Sequence, residues 1–414
     1  MAELATAISS LSMLSLNERD RRWGVVRGLM ARDGLAGLVC LGNSGAWDTL
    51  NANVRYLTGI GGNGVPASAV FPVDGDVTAV VGPTPGAAYW LGCQDWVGDI
   101  RQPRRMFSLM DGVVERLCEL PARARHGRIG IAGLRDVLRH PEGVVPIGAY
   151  AMIADALPQA ELVNATPILD EARFVKGAEE VAVLERAVAL AEAGIGVIAE
   201  QARPGVPECA VYGRVLARLV EDGGDVPTYF SWGASPPDQR QRNHLQPTER
   251  PLRSGDVISI ELDASVLGYR GHATQSFVLG DHSPHHDELL DRFHTVLDEA
   301  LARVVPGATP SDLHSAVTAM STDDIACHLV VHGRGLGEDP PLFVFRPEAG
   351  AAGDRMAGWR LAEGAVVMVR PYVYRGDPLA GTPVESIGWG DCVVVTGAGG
   401  RRLGRRAPGV VQIA

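Results

Sequence analysis

The chain has 414 residues, of which 46% are hydrophobic and 21% charged, and its formal net charge is −11. That balance suits a globular chain long enough for two domains with separate cores, and the absence of any basic cluster interleaved with aromatics argues against a nucleic-acid partner. No stretch approaches the roughly 18 apolar residues that a membrane span needs, and "MAELATAISSLSMLSLNERDRRW" lacks the basic and apolar regions of a signal peptide. The six cysteines are scattered with no CxxC pair, as reduced thiols in a cytoplasm would be. Lysine occurs once, at Lys176.

Residues 1–165 alternate helix and strand patterns and are expected to form an α/β domain. "RDRRWGVVRGLMARDGL" reads as a helix, "AGLVCLG" as a buried strand, and "NVRYLTGIGGNG" ends in a glycine-rich loop. "ASAVFPVDGDVTAVVG" reads as a hairpin about Asp74-Gly75, and "GRIGIAG" as another buried strand. "LVNATPILDEARFVKG" is expected to connect this domain to a second one, over 166–414.

The second domain carries two copies of one pattern: a long amphipathic helix, a Pro-Gly stop, and a second helix. In the first copy the stop is Pro204-Gly205; in the later copy it is Pro306-Gly307. There Leu290, Phe293, Leu297, Leu301 and Val304 are expected to form the apolar stripe, and Ser311 to cap the helix that follows. Strand-rich sequence brackets each pair, which suggests an internal duplication. In "GDVISIELDASVLGYRGHATQSF" the period is two. Ile258, Ile260 and Leu262 point one way, and Ser259, Glu261 and Asp263 the other. After a turn at Gly268, His272, Thr274 and Ser276 share a face. Such a face is either solvated, as in many antiparallel sheets, or the wall of a polar cavity.

Six segments in order, "NVRYLTG", "ARFVKGAEEVAVLERAV", "HLQPTERPLRSGDVISIELDASVLGYRGHATQSFVLG", "HGRGLG", "LAEGAVVMVRPYVY" and "GWGDCVVVT", resemble the creatinase/aminopeptidase P family. The resemblance implies an α/β (α+β) chain: a creatinase-like N-terminal domain, then a pita-bread domain with pseudo-twofold halves. Metallopeptidase members hold two metal ions with Asp, Asp, His, Glu and Glu. Here the matching positions are Glu261, His272, His332, Arg370 and Gly390. Only the histidine is kept, so a two-metal Xaa-Pro peptidase is the least expected outcome.

The metal-free creatinase branch implies a hydrolase that cleaves a C–N bond of a small, carboxylate-bearing molecule without a cofactor. His244 matches its acid/base histidine, and an imidazole can take a proton from water and return it to a leaving nitrogen. Glu261 and His332 would orient the reaction. Arg370 would clamp the anion, with His272, Asp263, Asp339 and Tyr269 beside the substrate. A second reading takes Glu261, His272 and His332 as the ligand set of one iron, manganese or zinc ion, suited to oxidation or lyase chemistry. A third is a binding module without catalysis. The expected partner is a small anionic molecule rather than nucleic acid or membrane, and the family resemblance implies a homodimer.

Overall fold

The structure, a computed structural model, describes residues 14–42, 49–61, 66–84, 86–103, 108–236, 246–346, 350–352, 356, 358–376 and 385–414. It divides into two compact units, Met1–Phe174 with Leu336–Glu338, and Val175–Gly335 with Asp339–Ala414. The division falls after Phe174 rather than at 165. The segment expected to be a connection contains a strand and a helix of its own.

The first unit is a mixed sheet of β1 (Leu35–Leu41), β2 (Ala67–Pro72), β3 (Thr78–Val81), β4 (Asp99–Arg101), β5 (Arg128–Ala132) and β6 (Glu161–Asn164), ordered β4-β3-β2-β1-β5-β6. Its helices are α1 (Leu16–Arg32), α2 (Thr49–Thr58), α3 (Ala87–Cys93), α4 (Leu109–Glu119), α5 (Ala122–Arg125), α6 (Ile147–Ala156) and α7 (Thr166–Phe174). The expected hairpin forms: β2 and β3 pair antiparallel, and Gly75 in their link has φ +96°, a value glycine adopts without strain. Val39, Val70, Val113, Leu117, Ile129 and Ile153 pack its core.

The second unit repeats a helix pair and antiparallel strands twice, as the internal duplication predicts. The first half is α8 (Ala178–Gln201), α9 (Glu208–Glu221), β7 (Asp225–Ser235), β8 (Val257–Val266) and β9 (Tyr269–Leu279). The second is α10 (His286–Arg303), α11 (Pro310–Thr318), β10 (Ile325–Gly333), β11 (Leu342–Arg346), β12 (Gly350–Ala352), β13 (Val366–Arg375) and β14 (Glu385–Thr396), followed by β15 (Gly399–Arg402) and β16 (Val411–Ile413). One sheet runs β12-β11-β10-β13-β14-β9-β8-β7. The halves join where β14 meets β9, at Trp389 opposite Gln275 and Gly390 opposite Thr274.

Two expectations about α10 and α11 need correcting. The buried line of α10 is Leu289, Phe293, Val296, Leu297 and Ala300, and Leu290 and Leu301 only flank it. Phe293, Leu297 and Val304 of the expected stripe are buried, whereas Leu290 and Leu301 sit at its half-buried edge. The cap of α11 is Thr309, whose hydroxyl accepts from the Asp312 N–H while Asp312 answers the Thr309 N–H. Pro310 then takes the first helical position, where its missing N–H costs nothing, and Ser311 is already inside the helix.

Close contact between α8 and β9 fixes the sheet's floor. A Cβ on Gly271 would lie 2.2 Å from the backbone of Ala187 and Val188, so the helix rests on a strand position with no side chain. Gly271→Ala is expected to cost about 3 kcal/mol by overpacking, read from urea unfolding. Wild-type stability in that variant would mean that α8 can slide aside.

Candidate active site

The site grows from one register. β8 and β9 pair without interruption from Val257 opposite Val278 to Val266 opposite Tyr269. Leu267 and Gly268 close the turn at φ 53° and 79°, the two positive angles of a type I′ hairpin. Ile258, Ile260 and Leu262 are buried on the α8 side. The opposite face carries Ser259 beside Ser276, Glu261 beside Thr274, and Asp263 beside His272. These are not solvated: Asp263 and His272 are 0% exposed and Thr274 is 1% exposed. The solvated reading is thereby excluded for these three residues. The same face continues through Cys392, whose thiol meets the His272 backbone, to Met368 and His332 on neighbouring strands.

His272 is the hub. Its Nδ1 is held in a very short contact by Asp263, and its Nε2 lies 2.9 Å from Glu261 Oε1. Among the described residues no hydrogen bond is aligned at that Nε2. Arg334 Nη2 also comes within 2.9 Å of Nδ1. One ring nitrogen cannot donate to a carboxylate and accept from a guanidinium at once, and the charged carboxylate is the stronger partner. Arg334 is then the counter-charge of Asp263, at 3.7 Å. Burial by itself raises the Asp263 carboxyl, but the charges of Arg334 and His272 outweigh it and hold that group well below the usual carboxylate range. His332 stands edge-on to His272, ring centroids 5.2 Å apart at 79°. Ligand atoms of Glu261, His272 and His332 all lie within 4.8 Å of one another.

Arg370 faces the same surface from β13, its Nη1 3.6 Å from Glu261 Oε2. Among the described residues this is the one carboxylate it meets. Tyr229, opposite Asp263 on β7, has its phenol pushed up to about 12 by burial and then by the negative charge of Glu261.

Glu261, Asp263, His272, His332 and Arg370 are therefore brought together as expected. Two other predicted residues are not offered to this surface. Asp339 is 1% exposed and ion-paired to Lys176 at 2.9 Å. Tyr269 falls on the α8 side by its parity, and its hydroxyl donates to Glu180 at 2.9 Å. Asp263 is also too enclosed to touch a substrate and acts through His272. His244 lies outside the described residues. Sequence reasoning missed Arg334, although an arginine inside a glycine-rich buried turn was the available signal.

The pita-bread ligand pair for a second ion does not fit here. A Cβ at residue 390 would lie 2.4 Å from Met368 Cε and 2.7 Å from Thr274 Oγ1, so the space of that ligand is already filled. Arg370 stands where another carboxylate would be needed, and a guanidinium within about 4 Å of a dication is repulsive by several kcal/mol at an effective dielectric of about 20.

Comparison with known proteins agrees with this architecture. Residues 182–397 match the description of metallopeptidase family M24. The uncharacterized peptidase YqhT of Bacillus subtilis is 24% identical over 374 residues, 88% of this chain and 94% of that protein. A creatinase from a Bacillus species is 26% identical over 248 residues, 55% of this chain and 57% of its own. Among solved structures, the Xaa-Pro dipeptidase from Bacillus anthracis superposes with a TM-score of 0.70 at 16% identity, covering 95% of this chain and all of the other. A pita-bread unit matched over more than half the chain, with a polar face built from the family's ligand-bearing strands, places this chain in metallopeptidase family M24.

Proposed function

We propose that the chain hydrolyses a C–N bond in a small, carboxylate-bearing molecule. The observation that carries this reading is the pairing, on one face, of a carboxylate-braced histidine with an arginine held by no hydrogen bond among the described residues. Asp263 keeps the proton of His272 on Nδ1 and turns Nε2 onto Glu261, the partly exposed carboxylate at which a water or leaving nitrogen can exchange a proton. Arg370 supplies the planar fork that fits a carboxylate. His244 is the acid/base residue that the family resemblance implies, and it would complete the proton transfer to the leaving nitrogen. Hydrolysis of a panel of carboxylate-bearing amides, ureas and guanidines, followed by NMR, tests the reading. His272→Gln is expected to lower kcat by about 10²–10⁴-fold, and Arg370→Gln to act mainly through KM. Turnover that survives both His272→Gln and His244→Ala would sink the mechanism.

A second reading rests on the convergence of Glu261, His272 and His332. A buried Nε2 with no aligned hydrogen bond, on a ring gripped at Nδ1 by a carboxylate, is how proteins hold a metal-ligating histidine. One divalent ion held by these three residues would supply a water of lowered pKa. Loading with manganese, iron or zinc, followed by elemental analysis, is expected to give no more than one ion per chain, lost in His332→Ala. Two ions per chain, or metal-stimulated cleavage of a Gly-Pro dipeptide, would overturn both readings.

A further inference from the structure

Past Arg370 the polar face continues into a recess that neither the histidine hub nor the three candidate ligands use. Ser259, Thr274, Ser276, Arg370 and Tyr372 line it, with Gly388 in its floor. Ser276 packs against Gly388, where a Cβ would come within 2.2 Å of Ser276 Oγ, so β14 offers no side chain on that side of the recess.

Its lining is built to receive something. Thr274 is 1% exposed, and its Oγ1 has no hydrogen-bond partner among the described residues. A buried hydroxyl left so is unfavourable, on a strand where valine would fit equally well. Beside Thr274, Ser276 shares a hydrogen bond with Ser259 at 3.1 Å. Arg370 closes the recess with a guanidinium that meets Glu261 at 3.6 Å, beyond hydrogen-bond range. A positive fork and an unused hydroxyl on one small cavity make an anion seat.

The size says which anion. The cavity is about 20 Å³, room for about one water-sized group. A carboxylate can place one oxygen there on Thr274 and keep the other on the Arg370 fork. A phosphate or sulfate would have to seat further oxygens in the same space. We infer that Thr274, with Ser276 and Arg370, forms a carboxylate subsite, and that the narrowness of the recess around Thr274 makes the site choose planar carboxylates over tetrahedral anions. This inference rests on the proposed function, in which Arg370 holds the substrate's anionic group, and adds the hydroxyl that receives that group's second oxygen.

The test uses the full chain and acetate as probe, with inorganic phosphate and sulfate compared at constant ionic strength balanced with chloride. Dissociation constants come from the ligand dependence of the thermal midpoint. Wild type is expected to be stabilised by acetate and not by phosphate or sulfate. Thr274→Val is expected to weaken acetate binding about tenfold, the worth of a hydrogen bond to a charged group. In the ligand-free protein the same variant is expected to raise the midpoint, because an unpaired buried hydroxyl is gone. A merely structural threonine would not move these two readouts in opposite directions. Arg370→Gln is expected to abolish the acetate effect. If Thr274→Val binds acetate like wild type while Arg370→Gln does not bind it, the recess is wrong and the arginine clamp stands. Phosphate binding as tight as acetate defeats the selectivity. No acetate binding by wild type defeats the subsite and the clamp together.

Discussion

Asp263→Asn is expected to destabilise the second unit by about 3–5 kcal/mol at neutral pH, the cost of leaving a buried charge without its counter-ion. Arg334 is 2% exposed, and among the described residues Asp263 is the carboxylate it meets. Asparagine keeps the shape, and its carbonyl can still accept from His272 Nδ1. The charge that balances the guanidinium is lost. The dependence on pH has a definite direction. The folded-state pKa of Asp263 lies below its ordinary value. Its contribution is therefore complete above the unfolded value of about 3.9 and disappears as pH falls through the folded value. Urea unfolding followed from neutral pH into acid should show a wide gap between wild type and variant that closes only below about pH 4. Equal stability at neutral pH would show that Asp263 does not carry the negative charge assigned to it. The same substitution is expected to lower catalysis or metal affinity about 10–100-fold, since the ring it orients loses its electrostatic brace.

Lys176→Met is expected to be comparably damaging, again about 3–5 kcal/mol. Lys176 and Asp339 are each 1% exposed at the side chain and lie 2.9 Å apart. The backbone around Lys176 is also tied down, its N–H donating to Gly364 O at 3.1 Å. Removing the ammonium strands a carboxylate inside the protein. Lys176→Met combined with Asp339→Leu should recover most of the loss, because replacing both members of a buried pair with apolar groups is often neutral. A double variant no more stable than Lys176→Met would mean that Asp339 is held by its other contacts. Retained stability in the single variant would return Asp339 to the list of groups free to meet a substrate.

These two residues mark the boundary of what could be read in advance. The duplicated helix pairs, the hairpin about Gly268, and the sharing of one face by Glu261, Asp263 and His272 followed from periodicity, which local chain geometry enforces. The cap of α11 at Thr309 was missed because Thr-Pro-Ser-Asp offers two hydroxyls within three residues, and only the backbone angles choose between them. Tyr269 belongs to the opposite face of the hairpin from Glu261 and His272. Its odd parity with Gly271 puts it against α8, and Glu180 engages its hydroxyl.

The amino-acid sequence by itself determined the strands, the faces, the family's order of segments, and the loss of two ligand positions at Arg370 and Gly390. Those features depend on the period of a strand and on the chemistry of single side chains. Only the tertiary structure decided that Asp263 is a brace rather than a binding group, that Arg334 balances it, that Asp339 belongs to Lys176, and that Met368 fills the space above Gly390. Each of these is a choice of partner made between distant segments. In a buried site such a choice is governed by which charges and volumes the folded backbone brings within a few ångströms, and no local pattern encodes that.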